Sequence, residues 1–301
     1  MAQQTRVSDA MAEPKPALRI LLRAHLALGI LTAIYGNAAY GGNIPMWPPH
    51  FVLKGVLIGI FLGQAVSAGL WTGLSNDAAS RRFGRGFMAA ALIWALALTS
   101  IRDWLNVGAW IVFLIWFVIP WAAIALAAST LRGRGIRCLA NEGRSSDMPP
   151  EGIQFSLRQL ASMVALCAVL FGLVRGFKST GGTLTLVSVI ALLGAFAIIF
   201  SVQALACLWA ALGAGDWIRR IWVPSSFALG WALLLAFAFG GYPLHYMQFG
   251  IIAFECLTLV IASLLAVRFA GYRIVRQAVD DPLTENRVET RNGKWDPRKL
   301  A

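Results

Sequence analysis

Residues 246–269 read YMQFGIIAFECLTLVIASLLAVRF and contain one acid, Glu255, and one base, Arg268. An α-helix rises about 1.5 Å per residue, so about 20 apolar residues cross the roughly 30 Å hydrocarbon core of a bilayer. This stretch has 24 residues and therefore predicts a membrane-spanning helix.

Seven further apolar blocks precede this stretch. They lie at about residues 17–35, 51–74, 87–101, 107–128, 157–174, 184–212 and 221–239. Backbone polar groups in lipid must be hydrogen-bonded internally, which leaves helices or closed barrels, and a barrel would show short alternating segments. The blocks are long and continuous, so we expect an all-α integral membrane protein with about eight transmembrane helices.

The composition agrees with a membrane protein. Of the 301 residues, 58% are hydrophobic and 13% are charged, whereas a soluble domain carries about 25% charged residues. The net charge of +12 is typical of nucleic-acid binders too, but here the basic residues cluster between the apolar blocks. That clustering indicates the positive-inside bias of membrane proteins, so we expect the lipid bilayer and no nucleic acid as a partner.

The basic residues also predict the orientation. If the chain crosses eight times, 22 of its 26 Lys and Arg residues fall on the side of the two termini. The other side has only Lys54, Arg102, Arg175 and Lys178. Loops rich in Lys and Arg stay in the cytoplasm, so both termini are expected to be cytoplasmic.

Five short matches in the same order indicate an internal duplication. In chain order they are Leu18-Arg19 with Leu157-Arg158, Leu70-Trp71 with Leu208-Trp209, Asp77 and Arg81-Arg82 with Asp216 and Arg219-Arg220, Trp94-Ala95-Leu96 with Trp231-Ala232-Leu233, and Ala128-Ser129 and Arg134 with Ala262-Ser263 and Arg268. Each half contains four spans, so both halves enter the membrane from one side. Such halves form parallel repeats, related by an axis along the membrane normal.

The duplication predicts the domain organisation. We expect a cytoplasmic N-terminal segment at 1–16, a first four-helix repeat at 17–131, a cytoplasmic linker at 132–154, a second four-helix repeat at 155–269 and a cytoplasmic tail at 270–301.

The first block has a second interpretation. Arg19 and Arg23 precede a short apolar stretch that small residues follow, as in a cleaved signal peptide. The duplication pairs this block with the fifth block, which lies in mid-chain and cannot be a cleaved signal. The pairing favours a retained first span.

The second half begins with Phe155-Ser156-Leu157-Arg158-Gln159-Leu160. This start resembles the Phe-Ser-Leu-Arg helix start of many uncharacterised multi-pass bacterial inner-membrane proteins. The resemblance covers about 20 residues and implies a bacterial inner-membrane location, with no activity and no site residues. Arg158 would lie among the cytoplasmic headgroups, with its aliphatic stem along the helix.

Glu255 is the main candidate for a functional residue, because it is the only acid deep within an apolar block. A charged side chain at the centre of a bilayer costs about 2.5–3.5 kcal/mol on insertion scales. Glu255 is therefore expected to face the bundle interior, paired or protonated. It is either part of an ion- or proton-coupled site or a hydrogen-bonding group between helices.

Three further polar residues lie within the blocks. Gln64 and Gln203 occupy nearly equivalent positions of the two repeats, and either line a binding site or form interhelical hydrogen bonds. His25 lies near the start of the first block and is a candidate partner for Glu255. These four residues are the predicted intramembrane binding residues.

No catalytic residues, metal ligands or cofactors are predicted. The sequence has no His-Glu-x-x-His, Gly-x-Ser-x-Gly, P-loop or Gly-x-Gly-x-x-Gly motif. Three of the four cysteines lie in apolar blocks and Cys138 in a basic loop, so no disulfide framework is expected.

The expected function is that of a non-enzymatic membrane protein, a scaffold or a subunit that binds other membrane subunits. The alternative is a small-solute or ion transporter with a site between the two repeats around Glu255.

Overall fold

The structure, a computed structural model, describes residues 16–42, 50–75, 78–100, 107–140, 186–213, 216–238 and 243–276. These ranges contain the helices α1 (Pro16–Tyr40), α2 (His50–Leu74), α3 (Ala79–Ser100), α4 (Val107–Gly133), α5 (Leu186–Leu212), α6 (Trp217–Arg220), α7 (Trp222–Ala238) and α8 (Pro243–Phe269), and the strands β1 (Ile136–Ala140) and β2 (Tyr272–Arg276).

Four of the described helices are long and apolar enough to cross a membrane: Arg19–Tyr40, Phe51–Leu74, Ala79–Ser100 and Tyr246–Phe269. Two shorter apolar helical segments are Phe117–Gly133 and Phe196–Leu212. The chain is thus helical and compatible with a membrane protein, as the apolar blocks predicted. Eight crossings remain a prediction, and the fifth block at 157–174 lies outside the described residues.

The start of α3 differs from the expected boundary. The third block was expected to begin at residue 87, but α3 begins at Ala79 and includes Arg81, Arg82 and Arg85. Long basic side chains can reach the headgroups from within a helix, so a helix continues beyond its apolar part. The seventh block, expected at 221–239, corresponds to α7 (Trp222–Ala238), and the short helix α6 precedes it.

The helices α2 and α8 pack closely and run in the same direction. Gly55, Gly59 and Gly63 of α2 face Ile251, Glu255 and Leu259 of α8 in that order. The glycines are spaced at i, i+4 and therefore lie on one face of α2. Small residues at such an interface let two helix backbones approach each other, which is common between membrane helices.

A core of apolar side chains fills the space between four helices. α2 packs against both α4 and α8, and α5 packs against the same two helices. Phe61, Phe117, Phe200 and Ile252 contribute one side chain from each helix, and each is at most 1% exposed. The rings of Phe61 and Phe117 meet edge to face, with 6.3 Å between their centroids.

The strands β1 and β2 form an antiparallel ribbon in which Cys138 pairs with Ile274. A glycine with positive φ precedes each strand, Gly135 at 81° and Gly271 at 90°, where a side chain would be strained. The ribbon was not anticipated, because these residues were assigned to the polar linker and tail. Five-residue strands become stable only through pairing, and their partners are more than 130 residues apart.

Two arginines bind the ends of neighbouring helices. The Arg132 guanidinium at the end of α4 donates a hydrogen bond to the Ser75 carbonyl, which follows α2. The Arg268 guanidinium at the end of α8 donates to the carbonyls of Ala211 (2.7 Å) and Gly213 (3.2 Å) at the end of α5. Both satisfy carbonyl groups that have no partner within their own helix. The C-terminal ends of all four core helices therefore gather at one end of the bundle.

Candidate functional site

Glu255 lies close to the middle of the span Tyr246–Phe269. Its position is set by backbone packing, because a Cβ atom on Gly59 would lie 2.6 Å from the Glu255 Cβ and 3.0 Å from the Ile252 carbonyl oxygen. Only glycine fits there without moving α8. The close crossing of α2 and α8 thus places Glu255 at a defined level along the bundle.

The Glu255 side chain is only half-buried, and Phe254 next to it is 65% exposed. Glu255 was expected to face the bundle interior; its Cβ packs against Gly59 of α2, and its neighbour Phe254 belongs to the exposed face of α8. Among the described residues it forms no hydrogen bond and no ion pair. His25 does not pair with it, since the His25 ring binds another residue of α8.

That residue is Ser263, whose Oγ lies 2.8 Å from the His25 Nε2 atom. The Ser263 hydroxyl donates its only proton to the Leu259 carbonyl at 2.6 Å. His25 Nε2 must then be the donor to Ser263, which assigns the ring proton from the hydrogen-bond network. Ser263 was recognised in the sequence only as part of a repeat match, because a serine in an apolar block has no distinguishing pattern.

Gln64 joins the same cluster through the backbone. Its Nε2 donates to the His25 carbonyl at 2.9 Å, and its side chain is 5% exposed. A Cβ on Gly29 would lie 3.1 Å from the Gln64 Oε1, so the glycine leaves room for the amide. The structure therefore brings His25 and Gln64 together with Ser263, at the junction of α1, α2 and α8.

Gln203 lies elsewhere, between α5 and α7. Its Nε2 donates to the Pro224 carbonyl at 3.1 Å and is 3.5 Å from the Cys207 sulfur. The side chain is 2% exposed, and within the described ranges its Oε1 has no hydrogen-bond partner. The two glutamines therefore do not line one common site.

Glu255 is also separate from the His25 cluster. It precedes Ser263 by eight residues on α8, which corresponds to about 12 Å along a helix. The four predicted binding residues thus occupy three places: the His25–Gln64 cluster, the Gln203 position and the Glu255 position. Within the described ranges, no group of three or more His, Cys, Asp or Glu side chains could hold a metal ion.

No protein-family model, no curated protein and no solved structure matches this chain.

Proposed function

We propose that this chain is a non-enzymatic subunit or scaffold of a membrane assembly, with eight crossings and both termini in the cytoplasm. The observation that carries the proposal is the filled space between α2, α4, α5 and α8. Its side chains, among them Phe61, Phe117, Phe200 and Ile252, are apolar and fully buried. Transporters bind their solutes in polar cavities near the bilayer midplane, and this region of the bundle is packed with hydrocarbon instead.

The polar side chains inside the bundle support the same proposal. His25, Gln64 and Gln203 each donate a hydrogen bond to a different helix. Such bonds stabilise helix packing in membranes by about 0.6 kcal/mol on average. Groups that hold helices together are not available to bind a solute. The remaining intramembrane acid, Glu255, lies at the flank, where a subunit would contact another protein.

The proposed duplication is supported by the equivalent ends of α4 and α8. Arg132, Gly135 and Arg137 recur as Arg268, Gly271 and Arg273, always 136 residues later. The Gly135 N–H donates to the Arg132 carbonyl, as the Gly271 N–H does to the Arg268 carbonyl. These bonds support pairing Arg268 with Arg132 in the proposed repeat, two residues from the match of Arg268 with Arg134 that the sequence suggested.

The β-ribbon has the symmetry that two parallel repeats require. Cys138 faces Ile274, which is its equivalent at the same spacing of 136 residues. An antiparallel pair whose central residues are equivalent has a two-fold axis through its centre. The packing follows the same pattern, because α2 lies against α4 and α8 while its equivalent α5 lies against α8 and α4.

The direction of the helices supports a fifth crossing. β1 follows α4 at the end of the bundle where α5 finishes, so α5 begins at the opposite end. If the bundle spans a membrane, an odd number of crossings between residues 140 and 186 fits these positions, and the fifth apolar block would supply one. The arginines Arg82, Arg132 and Arg268 all lie at the end with the ribbon, which is the end we propose to be cytoplasmic.

Reporter fusions test the proposed topology. Alkaline phosphatase folds only outside the cytoplasm, so a fusion after residue 185 should be active and one after residue 140 inactive. A green fluorescent protein fusion should give the reverse result. Equal activity after the two positions would contradict the fifth crossing.

Two measurements test the proposed function. The chain is purified from its native membrane in mild detergent, and native mass spectrometry should give a mass above 32.6 kDa that includes other subunits. A lone monomer would contradict the proposal. In parallel, proteoliposomes are tested for pH-driven proton flux, which should equal that of empty vesicles. Flux that is lost in Glu255→Gln at normal protein abundance would establish the transporter alternative, which the half-exposed Glu255 carboxyl favours.

A further inference from the structure

The exposed side of α8 combines an acid with a regular pattern of side chains. Phe254, Thr258 and Ala262 are exposed at i, i+4 spacing, and nothing lies within 4 Å of a Cβ atom placed on Gly250. Glu255 lies at the edge of this row. We call these five residues of α8 the Glu255 face, and they form a continuous strip about three turns long.

The Glu255 carboxyl needs a partner at its own depth. It lies near the middle of the span, where an isolated charge is unfavourable and where water does not solvate it. Within the described ranges no hydrogen bond or ion pair satisfies it. The close contact with Gly59 fixes the Cβ, so α8 cannot rotate the acid into the bundle.

The described spans carry no base at this depth. Gly59 lies level with Glu255, and Lys54 lies about 7.5 Å nearer the other end of α2. The other described basic side chains lie nearer the end of the bundle that carries the ribbon. A second copy of the chain would not supply a base either. Two copies related by an axis along the membrane normal would bring Glu255 against Glu255, since residues at equal depth meet.

We propose that the Glu255 face binds a membrane-spanning helix of another protein that carries a Lys or Arg side chain at mid-depth. The partner helix packs over Gly250 and Ala262, where small residues allow close approach, and Phe254 inserts beside it. Its basic side chain pairs with Glu255, so that both charges are neutralised in the same place. The proposal rests on the proposed function and names the chemistry of the partner.

A synthetic helix serves as the probe. The full chain is reconstituted in phosphatidylcholine vesicles with a dansyl-labelled Leu-Ala peptide of about 23 residues, long enough to span the bilayer, with one central Lys. Energy transfer from the tryptophans of the protein measures binding. The Lys peptide should bind at least about tenfold more tightly than the same peptide with a central Leu. Equal binding of the two peptides would overturn the proposal.

Variants of the protein test the acid and the face. Glu255→Gln keeps the shape and the contact with Gly59, and it should reduce the preference for the Lys peptide to nearly one. Leu229→Ala changes a side chain of α7 that is 61% exposed, and it should leave binding unchanged. Two results would contradict the proposal: weaker peptide binding in Leu229→Ala, or an unchanged preference for the Lys peptide in Glu255→Gln.

Relocation of the acid separates the face from the charge. The double variant Glu255→Gln, Leu229→Glu carries an acid near the middle of α7 instead. It should not recover binding of the Lys peptide. Full recovery would mean that an acid on any helix binds the peptide, and would contradict the proposed role of the Glu255 face. Monodisperse elution on size exclusion shows that each variant is folded.

The outcome is distinguishable from that of the proposed function. If the native assembly keeps its mass in Glu255→Leu, this proposal fails and the subunit function stands. If the parent protein is a lone monomer in its native membrane, the subunit function fails, whatever the peptide does. Self-association that is lost in Glu255→Leu, without binding of the peptide, would identify a second copy as the occupant and overturn the proposal.

Discussion

The contact between α2 and α4 makes a quantitative prediction at Gly73. A Cβ atom there would lie 2.3 Å from the Ala128 Cβ and 2.8 Å from the Ala125 carbonyl oxygen. Ordinary contacts begin at 3.4 Å, so Gly73→Ala requires a separation of about 1.1 Å at this level. Neither atom can move by a side-chain rotation. The helices themselves have to shift, although the bond from Arg132 to Ser75 holds them together one turn further on.

Two opposing terms set the size of the effect. Extra volume in a packed core costs about 1–3 kcal/mol. Replacing glycine by alanine within a helix stabilises it by about 0.5–1 kcal/mol. Gly84 of α3 is the matched control, because it also lies within a helix and nothing lies within 4 Å of a Cβ placed there. The helix term is common to the two variants, so Gly73→Ala should be less stable than Gly84→Ala by about 1–3 kcal/mol.

Thermal unfolding in detergent measures this difference. A change of 1 kcal/mol shifts the Tm of a protein of 150–250 residues by about 2–4 °C, so the two variants should differ by about 2–12 °C. The fraction that stays monodisperse on size exclusion after heating gives the midpoint, with equal heating rates for all variants. A midpoint for Gly73→Ala equal to or above that of Gly84→Ala would refute the inferred contact between α2 and α4.

Three further predictions follow from named contacts. Arg132→Gln and Arg268→Gln should each lower the free energy of unfolding by about 1.5–3 kcal/mol, and unequal losses in thermal unfolding would count against equivalent roles. A double-mutant cycle of His25→Ala and Ser263→Ala, measured by detergent-induced unfolding, should give a coupling energy of about 0.6 kcal/mol. A coupling energy of zero would mean that the hydrogen bond is absent. Burial raises the pKa of the Cys138 thiol to about 11. The thiolate is the reactive form, so the rate of Cys138 alkylation should still rise with pH at about pH 10. The measurement uses a variant in which the other cysteines are changed to alanine. A rate that stops rising by about pH 9 would indicate an exposed thiol.

Local patterns predicted the helices well. The blocks at 51–74 and 246–269 end at the same residues as α2 and α8. Hydropathy and length are properties of each segment alone, which explains this agreement. The start of α3 was predicted eight residues too late, because basic side chains do not end a helix. The strands of the ribbon were missed, because each forms only by pairing with a distant partner.

The candidate site was less predictable than the helices. Glu255 could be recognised because an acid in an apolar block is rare, but the sequence placed it inside the bundle. A change of one position turns a side chain by about 100° around a helix, and Glu255 lies against Gly59 of α2 with its side chain half-buried. Gln64 and Gln203 occupy nearly equivalent positions of the proposed repeats, yet Gln64 binds α1 and Gln203 binds α7.

Residues 246–269 illustrate the division between sequence and structure. Their sequence alone determined a helix long enough to cross a bilayer, with an acid near its middle, because composition and length are local. Only the tertiary structure decided that Gly59 fixes the position of the acid, that Ser263 binds His25, and that the carboxyl remains half-exposed. Those features depend on how α8 is rotated and which helices surround it. The contacts that set this rotation join residues as far apart as 238 positions in the chain.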